Sequence, residues 1–112
     1  MDAFQALADP TRRDIVVLLA KGERTAGEIF ARFDIADPTV SRHLKVLRES
    51  GLIAYRQEAQ SRIYRLQPDA LDETRQWLQA QIDACRSRFD RLGAHLDRMK
   101  KAEVKRGKRR TT

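Results

Sequence analysis

One cysteine and two histidines are all that this 112-residue chain offers to metal or redox chemistry. Cys85 stands alone, so it closes no intrachain disulfide, and no His or Cys cluster with metal-ligand spacing surrounds it. The five glycines form no phosphate-cradling loop, and His43, Cys85 and His95 lie too far apart to read as a nucleophile with its base. An enzyme, and with it a bound cofactor, is therefore not expected. No window approaches the eighteen or more apolar residues of a membrane span. Met1-Asp2-Ala3-Phe4 opens with neither the basic start nor the apolar core of a secretory signal. The expectation is a soluble cytoplasmic protein with no membrane partner, organised as one globular unit over residues 1–99 and a disordered basic tail over residues 100–112.

Basic charge is abundant, but its distribution matters more than its total. The net charge is +7, yet residues 1–99 hold 16 Lys and Arg against 15 Asp and Glu, whereas residues 100–112 hold seven against one. Bulk charge thus says little about the folded part. The stretch from Pro38 to Leu66 says more: Arg42, Lys45, Arg48, Arg56, Arg62 and Arg65 face only Glu49 and Glu58, a local excess suited to a polyanion.

Hydrophobic spacing and capping residues set out the elements. Asp9-Pro10 reads as an N-cap and a first-turn proline, followed by an apolar stripe of Ile15, Val16, Leu18 and Leu19 and a stop at Lys21-Gly22. Thr25-Ala26-Gly27-Glu28 has capping-box spacing ahead of Ile29, Phe30 and Phe33. Asp34 then falls where a sharp turn calls for positive φ. Asp37-Pro38 opens a third helix that runs to Glu49 and closes at Ser50-Gly51. Leu52–Gln57 and Arg62–Leu66 read as strands of a hairpin whose loop is the four residues from Glu58 to Ser61. From Pro68 to Met99 the pattern is helical over roughly 45 Å. Leu78, Ile82, Cys85, Phe89, Leu92, Leu96 and Met99 recur at spacings of four and three, a heptad seam that a small monomer cannot cover. In that seam Cys85 reads as a small hydrophobe. The fold class expected is mainly α with a small β-hairpin: a winged helix-turn-helix with a long C-terminal dimerisation helix.

Within the third helix, turning each residue by 100° puts Val40, Leu44 and Leu47 on one face and Arg42 almost opposite, with Pro38, Lys45 and Glu49 near it. One face packs and the other is free to read DNA. Thr39 and Ser41 flank the N-terminal half, the part of a recognition helix that reaches base edges, or else they satisfy first-turn N–H groups. His43 sits at the edge of the packing face. Arg56, Gln60 and Arg62 lie on or beside the hairpin, where they either approach the DNA backbone or are simply solvated.

Three segments resemble the ArsR family of bacterial regulators: Ala6-Leu7-Ala8-Asp9-Pro10-Thr11-Arg12-Arg13, then Pro38 to Leu47 with Gly51-Leu52, then Arg62-Ile63-Tyr64-Arg65-Leu66. The resemblance implies a homodimer built from the first and last helices, which would bring in Phe4 beside the heptad residues. It also implies a double-stranded DNA operator, an inverted repeat bound by a recognition helix in the major groove with a wing near the phosphates, and repression released by an inducer. Family members that sense metals do so through a cysteine box or through His-containing pairs on the last helix. Here Ala26–Phe33 has no cysteine, and Pro68–Ala70 and Gln81–Ala84 have no imidazole. No metal is expected, and the inducer stays unassigned. The competing reading is a protein-interaction module that uses the heptad helix without specific DNA binding.

Overall fold

The computed structural model describes residues 2–110, with side chains to residue 102. The chain divides into two compact units, Met1–Arg75 and Gln76–Thr112.

The first unit opens with a helix that spacing alone did not reveal, α1 (Ala3–Ala6). Four residues cannot sustain a helix by propensity, so its ends are tied. Asp2 and Gln5 form a reciprocal capping box at one end. At the other, Arg12 donates to the carbonyls of Ala6 (2.6 Å) and Gln5 (3.1 Å), and Arg13 to that of Leu7 (2.9 Å). These are the carbonyls that a helix C-terminus leaves unmatched and where positive charge is favoured.

Next, α2 (Pro10–Ala20) starts as the Asp9-Pro10 pair dictates. The Asp9 carboxylate accepts from the N–H groups of Thr11 (2.8 Å) and Arg12 (3.1 Å). Strand β1 (Arg24–Thr25) precedes α3 (Ala26–Arg32). The capping box expected there is present: the Glu28 N–H donates to Thr25 Oγ1 (3.1 Å) while the Glu28 carboxylate accepts from the Thr25 N–H (3.4 Å). The turn after α3 departs from expectation. Asp34 does not take a positive φ; the chain leaves the helix at Phe33 in an extended conformation (φ −112°, ψ 134°), which redirects it without a left-handed residue.

Helix α4 (Asp37–Glu49) has Ala36 as its N-cap with no side-chain hydrogen bond, so Asp37 is its first residue. It ends where Gly51, at φ +83°, adopts the left-handed conformation that glycine tolerates best. The hairpin is tighter than expected. β2 (Ile53–Glu58) and β3 (Ser61–Leu66) pair antiparallel as far as Glu58 opposite Ser61, leaving a two-residue turn, Ala59-Gln60. Ala59 takes φ +53° in place of a glycine, and its carbonyl accepts from the Gln57 amide. β1 pairs with the other edge of β3, giving the order β1-β3-β2.

These elements enclose one core. Ile15, Ile29, Val40, Leu47 and Leu52 are fully buried, with Ala6, Leu19, Leu44, Ile53 and Tyr64 beside them. The order of elements, a helix pair followed by a hairpin, is that of a winged helix-turn-helix with α4 as its second helix.

Helix α5 (Pro68–Arg110) starts at the expected proline and packs Ala70 and Leu71 on the core of the first unit. It passes the end expected at Met99 by eleven residues. The basic segment that reads as a disordered tail contains no proline and no glycine before Gly107; its Lys, Arg, Ala and Glu residues all favour helix. The last two residues of that expected tail, 111 and 112, lie outside the described residues. In the second unit every described side chain is exposed. No helix among the described residues is long and apolar enough to cross a membrane.

Candidate nucleic-acid interface

Helix α4 is divided lengthwise. Val40, Leu44 and Leu47 are 0%, 2% and 0% exposed, which fixes the rotation of the helix. The opposite face consequently presents Pro38, Ser41, Arg42 and Lys45 to solvent, with Thr39 half-buried at the margin. Among the described residues Arg42 makes no ion pair, whereas Lys45 lies 4.0 Å from Glu49. Both members of that pair are more than half exposed, so the contact holds Lys45 weakly.

His43 is half-buried, as its place at the edge of the packing face predicts. Its Nδ1 lies 3.3 Å from an Arg12 Nη. Arg12 thereby joins α1, α2 and α4, while Arg13 is held by backbone carbonyls. Asp9, at the head of α2, keeps its carboxyl below the usual range chiefly through the Arg12 N–H, with smaller contributions from His43 and Thr11.

The hairpin candidates separate. Arg56 lies 2.7 Å from Glu23 and 3.5 Å from Glu58. The hydrogen bond to Glu23 raises its affinity for the proton most. The sequence leaves Arg56 between a DNA-backbone contact and simple solvation; in the fold it has two carboxylate partners, Glu58 and, 33 residues away, Glu23. Arg62 has none among the described residues. Its guanidinium lies 4.6 Å from the centre of the Tyr55 ring, and its charge is favoured first by a hydrogen bond to Tyr64. Gln60 is exposed at the turn.

A cleft of 540 Å³ gathers several of these groups. Ser41 of α4, Gln57, Gln60 and Arg62 of the hairpin, and Thr25 and Gly27 at the start of α3 all line it. Ser41, Gln60 and Arg62, scattered over 22 sequence positions, thus share one polar concavity beside the exposed face of α4. Pro38, Thr39 and Arg42 sit on α4 outside this lining. Two further residues stand beside these candidates: Arg48, which the sequence shows only as part of the local basic excess and whose guanidinium lies 5.2 Å from the Tyr55 ring centre, and Tyr55 itself, which no sequence signal singles out. The spacing of Arg48, three residues after Lys45, was the available signal.

On α5 the heptad residues are all exposed: Leu78, Ile82, Cys85, Phe89, Leu92, Leu96 and Met99. Trp77, absent from the expected stripe, is 55% exposed beside it. In the first unit Phe4 is 44% exposed.

A family model described as bacterial regulatory protein, arsR family, matches residues 9–55, the span from the cap of α2 into β2. The chain is 36% identical over 77 residues to the transcriptional repressor SdpR of Bacillus subtilis, covering 69% of this chain and 86% of that protein. It is 44% identical over 66 residues to the arsenical resistance operon repressor of Escherichia coli, covering 58% of this chain and 56% of that protein. The fold resembles the crystal structure of an ArsR family transcriptional regulator with a TM-score of 0.67 and 34% identity, over 71% of this chain and 82% of the other.

Proposed function

Because the chain belongs to the ArsR family of bacterial regulatory proteins, we propose that it represses transcription as a symmetric homodimer that binds an inverted-repeat site in duplex DNA through α4. One observation carries this reading. The face of α4 opposite its buried apolar row is cationic and hydroxylic, and Arg42 on it has no ion pair among the described residues. Arg42 and Lys45 are assigned to base edges of the major groove, where Arg and Lys pair with guanine acceptors. Pro38, Thr39 and Ser41 are assigned to the entry of α4 into the groove, and Gln60 and Arg62 to the backbone beside it. Arg56 is left to the hairpin.

The apolar row of α5 is assigned to the second copy, together with Phe4 of α1. Two-fold symmetry then predicts half-sites about one helical turn apart. Metals are left out of this reading, because Ala26–Phe33 lacks cysteine and the start of α5 lacks histidine.

The test uses duplex fragments selected by the protein from its source genome. Arg42→Ala is expected to weaken binding to the selected site by about 1–3 kcal/mol, with an unchanged melting curve. Unaltered affinity in the Arg42→Ala, Lys45→Ala double variant contradicts the assignment of α4. The exposed row of α5 also suits a protein-interaction module; failure of the wild-type chain to retard any duplex at low salt would favour that second reading.

A further inference from the structure

Beyond the exposed face of α4, a second concavity lies where that helix meets the hairpin. It has a volume of 180 Å³ and is lined by Ser41, Leu44, Lys45, Arg48, Arg62 and Tyr64. Ser41, Lys45 and Arg48 follow one another at spacings of four and three, so they share one side of α4, and Arg62 closes the cleft from β3. Three cations therefore line one small opening, and its floor includes the buried Tyr64.

Such crowding needs an explanation, since like charges repel and long cationic side chains on a surface ordinarily spread into water. Two of the three are held in place by aromatic rings. Arg48 and Arg62 both lie over Tyr55, at 5.2 and 4.6 Å from its centre, and Tyr55 rests against Tyr64 with ring centroids 5.5 Å apart. A guanidinium on a ring face is fixed in position without being neutralised. Among the described residues no carboxylate pairs with Arg48 or Arg62, and the Glu49 beside Lys45 is only loosely engaged. The charge is thus pre-oriented and uncompensated. Arg56, one residue along the same strand as Tyr55, is by contrast satisfied twice over by Glu23 and Glu58.

We propose that this cleft is a phosphodiester site, in which Arg48 and Arg62, both braced on Tyr55, clamp the DNA backbone at the edge of the groove that α4 enters. The ligand chemistry follows from geometry and charge. Guanidinium groups match phosphate oxygens in pairs, and hydroxyls of the kind Ser41 carries commonly contact them. A helix whose N-terminal half faces base edges brings its later turns, and an adjoining hairpin, to the flanking strand. The site rests on the assignment of α4 to duplex DNA, and it adds Arg48 and Tyr55 to the groups that make the interface.

A contact to phosphate is told from one to a base by salt and by sequence. Affinity for a 30-base-pair duplex of mixed sequence, and for a selected site, is to be followed by fluorescence anisotropy over a series of NaCl concentrations. Arg48→Gln and Arg62→Gln are each expected to weaken both duplexes alike and, since a symmetric dimer carries each change twice, to reduce the slope of log K against log salt by about 1.8, or about 0.9 per phosphate contact. Arg75→Gln removes the same charge from a pair with Asp72 on α5 and is expected to leave the slope unchanged. Tyr55→Leu should reproduce part of the loss with both arginines still present. Arg62 is exposed on the hairpin, so its variant carries the test even if Arg48→Gln lowers the melting temperature. Unchanged slopes in both glutamine variants overturn the clamp while Arg42 can still prove to read bases. A loss confined to the selected site with no change of slope makes these arginines base readers and likewise overturns it. A wild-type chain that binds neither duplex overturns the clamp together with the assignment of α4.

Discussion

Residues 1–75 and the described part of residues 76–112 use similar apolar side chains to opposite ends. In the first unit Ile15, Ile29, Val40, Leu47 and Leu52 are lost to solvent completely, whereas Leu78, Phe89, Leu92 and Leu96 in the second are about half exposed or more. Full burial of such a side chain is worth roughly 1.5–3 kcal/mol, a large share of the few kcal/mol by which a domain of this size is stable. The first unit collects that gain within one chain. α5 can collect it only against another surface, and its regular four-three spacing is what a matching helix requires. The contrast teaches that regular apolar spacing is spent on a core in the first region and is left at the surface in the second, where the proposed second copy would cover it.

That comparison can be broken by like changes in the two regions. Leu47→Ala is expected to cost about 2–5 kcal/mol, as truncation of a fully buried core leucine does, and the loss should be the same at any protein concentration. Leu92→Ala should lower the melting temperature by an amount that depends on concentration, since its partner surface comes by mass action. Concentration-independent melting of both variants removes the distinction.

Within the first unit, the cap of α2 should matter next. Asp9→Ala is expected to cost about 0.5–2 kcal/mol in denaturant unfolding. The folded carboxyl of Asp9 binds its proton more weakly than the unfolded one, mainly because the Arg12 N–H donates to the carboxylate. Its stabilisation is therefore complete above the unfolded pKa and fades as pH falls through the lower folded value, below about pH 4. Asp9→Asn keeps an acceptor without the charge, so its stability should fall less steeply over that acid range; equal slopes would remove the charge from the account.

The smallest change tests the hairpin turn. An alanine at positive φ is strained by about 1–2 kcal/mol, a cost that the greater freedom of unfolded glycine offsets in part. Ala59→Gly should accordingly raise stability by no more than about 1 kcal/mol, read as a small rise in melting temperature. A fall would show that the turn is not strained at that residue.

Much of this was legible in the chain. The caps at Asp9 and Thr25, the split faces of α4, the hairpin and the start of the long last helix follow from spacing within a few residues, whereas the end of that helix lies eleven residues past Met99. What escaped depends on distant partners or on length. α1 is too short to show periodicity and is held by Arg12 and Arg13 from the next helix. β1 is two residues long and pairs with Ile63 and Tyr64, some forty residues on. The ion pair that occupies Arg56 joins it to Glu23, and the cluster of Arg48, Tyr55 and Arg62 exists only once β2 and β3 lie beside α4. Charge composition pointed to the stretch from Pro38 to Leu66, but only the fold sorts its cations into those paired with carboxylates and those without such a pair among the described residues.

The central claim, that α5 makes the second copy without which α4 cannot hold its DNA site, is tested most directly by one double variant. Leu92→Asp with Leu96→Asp places four charges in the proposed interface of a symmetric pair. Sedimentation equilibrium and titration of a selected duplex, run on the same sample, should show a folded monomer whose affinity has fallen by at least about a hundredfold, because two half-sites no longer act as one ligand. A dimer that persists, or a monomer that binds as tightly as the wild-type chain, would contradict it.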